Sequence, residues 1–166
     1  MQSHIFSCPV RWADLDIYGV VNNVSFLRLL EEARVDLVWR TGSQDRREGD
    51  AFFEGGSVVV RHSIEYRKPL FYTYENVDIE MWVSDLKYSQ VTIEYVVRDG
   101  EKVYAVATTT MAPFNYAGKF PRRLTDEEMR FFLGYLNSGK RASGRELPPP
   151  EQSRGISVSV ETRYGI

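Results

Sequence analysis

One uninterrupted helical stretch restricts the fold more than any other feature of this chain. Asn22-Asn23 offers two N-cap side chains, Val24 to Thr41 contains neither Gly nor Pro, and Gly42 supplies a stop. The apolar residues of the stretch, Val24, Phe26, Leu27, Leu29, Leu30, Ala33, Val35, Leu37, Val38 and Trp39, cover more than one stripe. A helix apolar around most of its circumference is stable only when other elements enclose it. The spacing therefore predicts a helix enclosed on several sides, and the rest of the chain must supply the enclosure.

Strands supply it. His4 to Trp12 alternate, with Phe6, Cys8, Val10 and Trp12 on one face, and Pro9 points to an edge position or a bulge. After the helix, Val58, Val60, His62, Ile64 and Tyr66 share one face, Val77, Ile79, Met81 and Val83 another, and Val91 to Val97 alternate again. Asp99-Gly100 is a hairpin turn into Val103 to Pro113, so the pairing is antiparallel. A strand, a long enclosed helix and an antiparallel meander make an α+β domain with a curved sheet around one helix.

Pro121 to Leu136 reads as a second helix on the outside of the domain, because Thr125 and Glu128 have capping-box spacing. From Ser138 the composition shifts to Gly, Ser and charge with Pro148-Pro149-Pro150, which suits a linker or tail. Ile156, Val158 and Val160 alternate once more, the pattern of a terminal strand on a sheet edge. The expected organisation is one domain over residues 1–137 and a tail over 138–166.

Composition narrows the function. With 166 residues, about 70% of the unfolded surface is buried on folding, so no disulfide scaffold is needed. Lys and Arg number 21 against 23 Asp and Glu, which gives no basic field for nucleic acid. No apolar run approaches the roughly 20 residues that span a bilayer, and Met1 to Val10 lacks the pattern of a signal peptide. Cys8 is the single cysteine, so neither an intrachain disulfide nor a thiolate metal cluster is expected, and a reducing cytoplasm is the default. No metal-ligand cluster, Gly-rich phosphate loop or G-x-S-x-G elbow is recognisable.

The segment Arg11 to Asn23, RWADLDIYGVVNN, carries the chemistry. It sets Asp14 and Asp16 in the loop that feeds the helix. Open N–H groups and the aligned peptide dipoles make a helix N-terminus a site for negative charge, including that of a carbonyl oxygen becoming an oxyanion. An ordinary Asp is ionised at neutral pH, so Asp16 has the charge to act as a nucleophile or a water-orienting base. Asp residues beside a turn glycine and a helix start also serve as caps and turn formers. The residues alone leave both readings open.

The stretch RWADLDIYGVVNNVSFLRLLEEAR resembles the first motif of the hotdog-fold thioesterases of the 4-hydroxybenzoyl-CoA thioesterase type. The resemblance continues through HSIEYRKPLFYTYENVDIEMWV and covers about residues 4 to 124. It implies an acyl-CoA thioester hydrolase needing no metal or redox cofactor, with CoA as part of the substrate. Asp16 would be the catalytic carboxylate, Gly19 the turn glycine, and Asn23 the helix-start residue whose N–H faces the thioester carbonyl. Asp14 would support the loop. Many relatives have a histidine where this chain has Val20, and another branch has one where Asn23 stands. The resemblance also implies a homodimer or homotetramer, with the pantetheine arm passing between protomers.

Arg67 and Lys68, ahead of Pro69, are candidates for CoA phosphates. Ser89, after Tyr88 at a strand opening, is a candidate substrate contact. His62 and Cys8 both lie on apolar strand faces, where packing is the ordinary role. The expected function is hydrolysis of a fatty or aromatic acyl-CoA. The alternative, motivated by Val20, is a hotdog module that binds an acyl thioester or joins an assembly without hydrolysing it.

Overall fold

A computed structural model describes residues 2–41 and 56–143. Strand β1 (His4–Pro9) leads through a short 3-10 turn (Trp12–Asp14) to helix α1 (Asn23–Val35), which continues as a π-helical segment, Asp36–Thr41. Strands β2 (Ser57–Tyr66), β3 (Asn76–Lys87), β4 (Gln90–Asp99) and β5 (Lys102–Asn115) follow, then the short β6 (Phe120–Pro121) and helix α2 (Asp126–Gly134). All strand pairs are antiparallel in the order β1-β3-β4-β5-β2, with β6 on β5. The stop residue Gly42 and the proposed terminal strand at Ile156–Val160 lie outside the described residues.

The sheet curls with its concave face on α1. In register across it lie Met81, Tyr95, Ala107 and Ile64, and in the next row Val83, Ile93, Thr109 and His62. On the helix, Phe26, Leu29, Leu30, Ala33, Leu37 and Val38 are buried against this face. The expected alternation on β3 and β4 holds, and Asp99-Gly100 turns the hairpin with Gly100 at φ 54°. At the edge, Pro9 closes β1 opposite Asn76, where its missing N–H interrupts no ladder.

Three expectations need correction. Val24, Leu27, Val35 and Trp39 are exposed, because the sheet covers only one side of α1; enclosure within this chain is partial. Trp12 is 77% exposed instead of facing inward with Cys8, because β1 stops at Pro9 and Trp12 opens the 3-10 turn. Val58 and Val60 do not share a face with His62, because a bulge between Val59 and Arg61 inserts one residue and reverses the alternation.

Helix α2 starts at its capping box: Thr125 Oγ1 accepts from Glu128 N–H (3.2 Å), and Glu128 Oε2 accepts from Thr125 N–H (2.7 Å). It is not merely external, since Phe132 is fully buried in the common core and Val83 pairs with Leu136 beyond the helix. The chain then crosses the outer face of the sheet. Trp82 Nε1 donates to Lys140 O (2.9 Å), and the Arg141 guanidinium and Ala142 N–H reach the buried Glu94 carboxylate at 2.6 and 3.1 Å. Residues 138–143 therefore pack on the domain despite their linker-like composition; the contacts come from Lys140 and Arg141, not from an apolar pattern.

Candidate active site

The loop between β1 and α1 is built around its two aspartates, which do different work. Asp14 is 4% exposed. Its Oδ2 accepts from Arg11 N–H (2.8 Å) and Arg28 Nη2 (2.5 Å), and its Oδ1 accepts from Arg28 Nε (3.0 Å). Arg28 also donates to Glu32, one helical turn on. The Asp14 carbonyl accepts from Asn22 N–H (2.8 Å), which ties this buried pair directly to the helix start. Asp14 thus supports the loop, and its fork with Arg28 leaves no oxygen for chemistry.

Asp16 is half-buried and closes a tight turn. Its Oδ1 accepts from Tyr18 N–H (2.8 Å) and Val20 N–H (3.2 Å), while Oδ2 has no hydrogen-bond partner among the described residues. Main-chain bonds Asp16 N to Val20 O (2.8 Å) and Gly19 N to Asp16 O (3.1 Å) complete the turn. Gly19 adopts φ 75°, the left-handed region that an L side chain resists. The turn is stitched to the next segment by Val21 N–H to Leu70 O (2.8 Å) and by the pairing of Val20 with Phe71.

Of the two asparagines, Asn22 is the cap: its side chain accepts from Val24 N–H (2.9 Å). Asn23 is the first helical residue, and its own N–H has no acceptor among the described residues, as expected in a first turn. Beside it lies a cleft of about 350 Å³ lined by Val20, Val21, Asn23, Phe26, Tyr66 and the stretch Arg67 to Leu70. Tyr66 closes one wall: its hydroxyl donates to Asn23 O (3.2 Å), its ring packs edge-on to Phe26 (5.3 Å between centroids), and burial pushes its pKa up.

The structure brings Val20, Asn23, Arg67 and Lys68 together around this cleft. Arg67 is held by Glu65 (3.2 Å) and Ser143 O (3.5 Å); Lys68 makes no ion pair among the described residues. Asp16 and Gly19 do not line the cleft themselves; Asp16 sits behind Val20, bonded to its N–H. Ser89 is not brought in. It lies in the β3–β4 turn, ten residues along the chain from Ile79, the β3 residue that the register sets level with Tyr66 at the cleft. Sequence reasoning missed Tyr66 and Phe26 as cleft walls and Arg28 as the partner of Asp14. Tyr66 had a signal in its place ahead of Arg67, Lys68 and Pro69; Arg28 had none, being fourteen residues from Asp14.

The other candidates are structural. Cys8 is buried and free, and desolvation, with Glu32 nearby, pushes its thiol up to about 12, far from a nucleophile. His62 Nδ1 bonds Thr109 Oγ1 (2.9 Å), and burial followed by the Arg34 cation lowers its pKa. Among the described residues, no three His, Cys, Asp or Glu side chains form a metal-binding group, and no helix is long and apolar enough to cross a membrane.

A curled antiparallel sheet holding one long helix, with a cleft at that helix's N-terminus, defines the class: a hotdog fold. The chain belongs to the thioesterase-like superfamily, whose family model matches residues 10–152. Among solved structures it is similar to a thioesterase from Thermus thermophilus, in complex with coenzyme A and zinc, at 25% identity and a TM-score of 0.64, covering 86% of this chain and 96% of that one. A putative thioesterase from Pseudomonas aeruginosa is 27% identical with a TM-score of 0.64, covering 74% and 92%. A putative acyl-CoA thioesterase from Xanthomonas campestris is 28% identical with a TM-score of 0.56, covering 66% and 90%. No curated protein matches the sequence.

Proposed function

We propose that the chain hydrolyses an acyl-CoA thioester, fatty or aromatic, to a free acid and CoA, in the manner of the 4-hydroxybenzoyl-CoA thioesterase type. The observation that carries this reading is the cleft at the start of α1, where the open Asn23 N–H lies next to the turn that holds Asp16. The thioester carbonyl oxygen would sit at Asn23 N–H, and each such donor typically contributes about 10²- to 10³-fold as the oxygen gains charge. Asp16 Oδ2 would attack the carbonyl carbon or take a proton from the attacking water. The C–S bond then breaks, and the CoA sulfur leaves as thiolate and takes up the proton that the water gives; where Asp16 is the nucleophile, a mixed anhydride on its Oδ2 remains and water hydrolyses it to the free acid and the carboxylate.

Reaching the carbonyl requires the Asp16 carboxylate to face past Val20 into the cleft. Its Oδ1 is fixed by two N–H groups, so rotation about the side chain is restricted and Oδ2 is the reacting oxygen. Arg67 and Lys68 at the rim supply positive charge for CoA phosphates. Support for CoA comes also from the Thermus thermophilus structure that holds it. The working unit in this reading is a homodimer or homotetramer: exposed Val24, Leu27, Val35 and Trp39 on α1 and the open edge strand β2 are surfaces that a second copy would cover. Cytoplasmic CoA pools and a free, buried Cys8 suit a reducing compartment.

A second reading, binding without hydrolysis, is favoured by the absence of Asp16 from the cleft wall and by its use as a turn former. Purified protein incubated with a panel of acyl-CoAs and a thiol reagent separates the two. CoA release supports hydrolysis, and tight binding without release supports the module.

A further inference from the structure

The concave face of the sheet is not equally covered along its strands. On β3 and β4 its residues Ile79, Met81, Ile93 and Tyr95 are fully buried. On the edge strand β2 the same face is open: Tyr66 is 49% exposed, His62 is exposed and Ile64 is half-buried. Helix α1 therefore leaves a groove along β2, and Tyr66 and Phe26 form its end at the cleft.

The far end of the groove is polar and incompletely satisfied. Arg34, two helical turns beyond Phe26 on α1, has a side chain only 10% exposed, and its Nη1 is buried without a hydrogen-bond partner among the described residues. Its ion pair is long, Nη2 to the largely exposed Glu31 at 3.6 Å. Burial, followed by the Arg34 cation, lowers the pKa of His62, whose Nδ1 is hydrogen-bonded to Thr109 Oγ1 at 2.9 Å. A buried guanidinium normally finds acceptors for its N–H groups, so the open Arg34 Nη1 indicates a missing anionic oxygen.

The groove has a defined length. Tyr66 to His62 is four strand steps, about 13 Å at about 3.3 Å each. Asn23 to Arg34 is eleven helical steps, about 16 Å at 1.5 Å each, and helical side chains lean back toward the N-terminus. With C–C bonds of about 1.52 Å at angles of about 111°, an extended carbon chain advances about 1.25 Å per bond, so about 13 Å corresponds to about ten bonds. Resting on the thioesterase reading above, we propose that this groove receives the acyl chain of a dicarboxylic acid monothioester, with the free carboxylate bound by Arg34 Nη1 beside His62 and Thr109.

The test compares dodecanedioyl-CoA with dodecanoyl-CoA, equal in length and different only in the terminal group. For the unmodified protein, both kcat/KM and the affinity measured calorimetrically should favour dodecanedioyl-CoA by about tenfold to a hundredfold, the range of a charge-assisted hydrogen bond. In Arg34→Gln the ratio between the two substrates should fall to about one, and Arg34→Lys should keep part of it. Because Arg34 is buried, the comparison on the unmodified protein decides the matter even where a variant does not fold. A ratio of one in both rate and affinity overturns the proposal and leaves the hydrolase reading standing. No CoA release from any thioester overturns the hydrolase reading, and the affinity ratio then decides this proposal by itself. Dissociation of an oligomer in Arg34→Gln, with no carboxylate preference in the unmodified protein, assigns Arg34 to a subunit interface and also overturns it.

Discussion

Replacing Asp14 by Asn should destabilise the protein through the loop that positions the cleft. Asp14 accepts three hydrogen bonds, one from Arg11 N–H and two from the Arg28 guanidinium. An amide keeps one acceptor oxygen and turns an NH2 group toward donors that are themselves N–H. Loss of one member of a buried pair costs about 3–5 kcal/mol. Here the Arg28 side chain is 31% exposed against 5% for Asp14, so water takes over part of the solvation and the expected cost falls to about 2–3 kcal/mol. For a chain of this size each kcal/mol lowers Tm by about 2–4 °C, which gives a drop of roughly 5–10 °C by calorimetry or circular dichroism. Arg28→Met in the same cycle should be non-additive with Asp14→Asn by about 1–2 kcal/mol. An unchanged Tm for Asp14→Asn, or strict additivity in the double variant, would refute the pairing as a support of the helix start.

Three further outcomes are expected. Asn22→Ala removes the acceptor of Val24 N–H and should cost about 1 kcal/mol in a urea titration; no change would mean that water caps the helix equally well. Gly19→Ala has free space around an added Cβ, so its cost should be the backbone strain alone, about 1–2 kcal/mol, and a much larger loss would reveal a contact that this geometry lacks. Cys8 holds its proton in the folded state to about pH 12, so a thiol reagent at pH 8 should react slowly with native protein and rapidly after denaturation. Since the folded pKa is raised, this group's contribution to stability is full below the unfolded value near 9 and is lost as pH rises toward 12; native Cys8 reacting as fast as a free thiol would contradict the burial.

The sequence is most legible where a local pattern and its structural cause coincide. The Asn22 cap and the Gly- and Pro-free stretch after it specify α1, Thr125 and Glu128 specify the start of α2, and Asp99-Gly100 turns the β4–β5 hairpin. Periodicity cannot reveal an inserted residue, which is why the bulge at Val60 reversed the faces assigned to Val58 and His62. Nor does the sequence distinguish an apolar helix side covered by its own sheet from one left open, so Val24, Leu27, Val35 and Trp39 were expected inside. At the candidate site, the turn from Asp16 through Gly19 to the helix start at Asn23 was legible because these residues are neighbours along one loop; that Asp16 and Gly19 stand outside the cleft wall was not. The Asp14 bond to Arg28, the walls made by Phe26 and Tyr66, and the remoteness of Ser89 depend on which chain ends the sheet brings together. Those relations are set by topology, not by any spacing in the chain.

The central claim is that the Asp16 carboxylate performs chemistry at the helix start instead of only closing its turn. The most direct test is steady-state turnover of an acyl-CoA by Asp16→Asn beside its thermal unfolding. Asparagine keeps Oδ1 as the acceptor of Tyr18 and Val20 N–H, so Tm should stay within a few degrees of the unmodified protein. Loss of the ionised oxygen should lower kcat by about 10²-fold or more, the scale of a missing general base or nucleophile. A variant that hydrolyses the thioester at the unmodified rate would contradict the account, leaving Asp16 as a turn former alone.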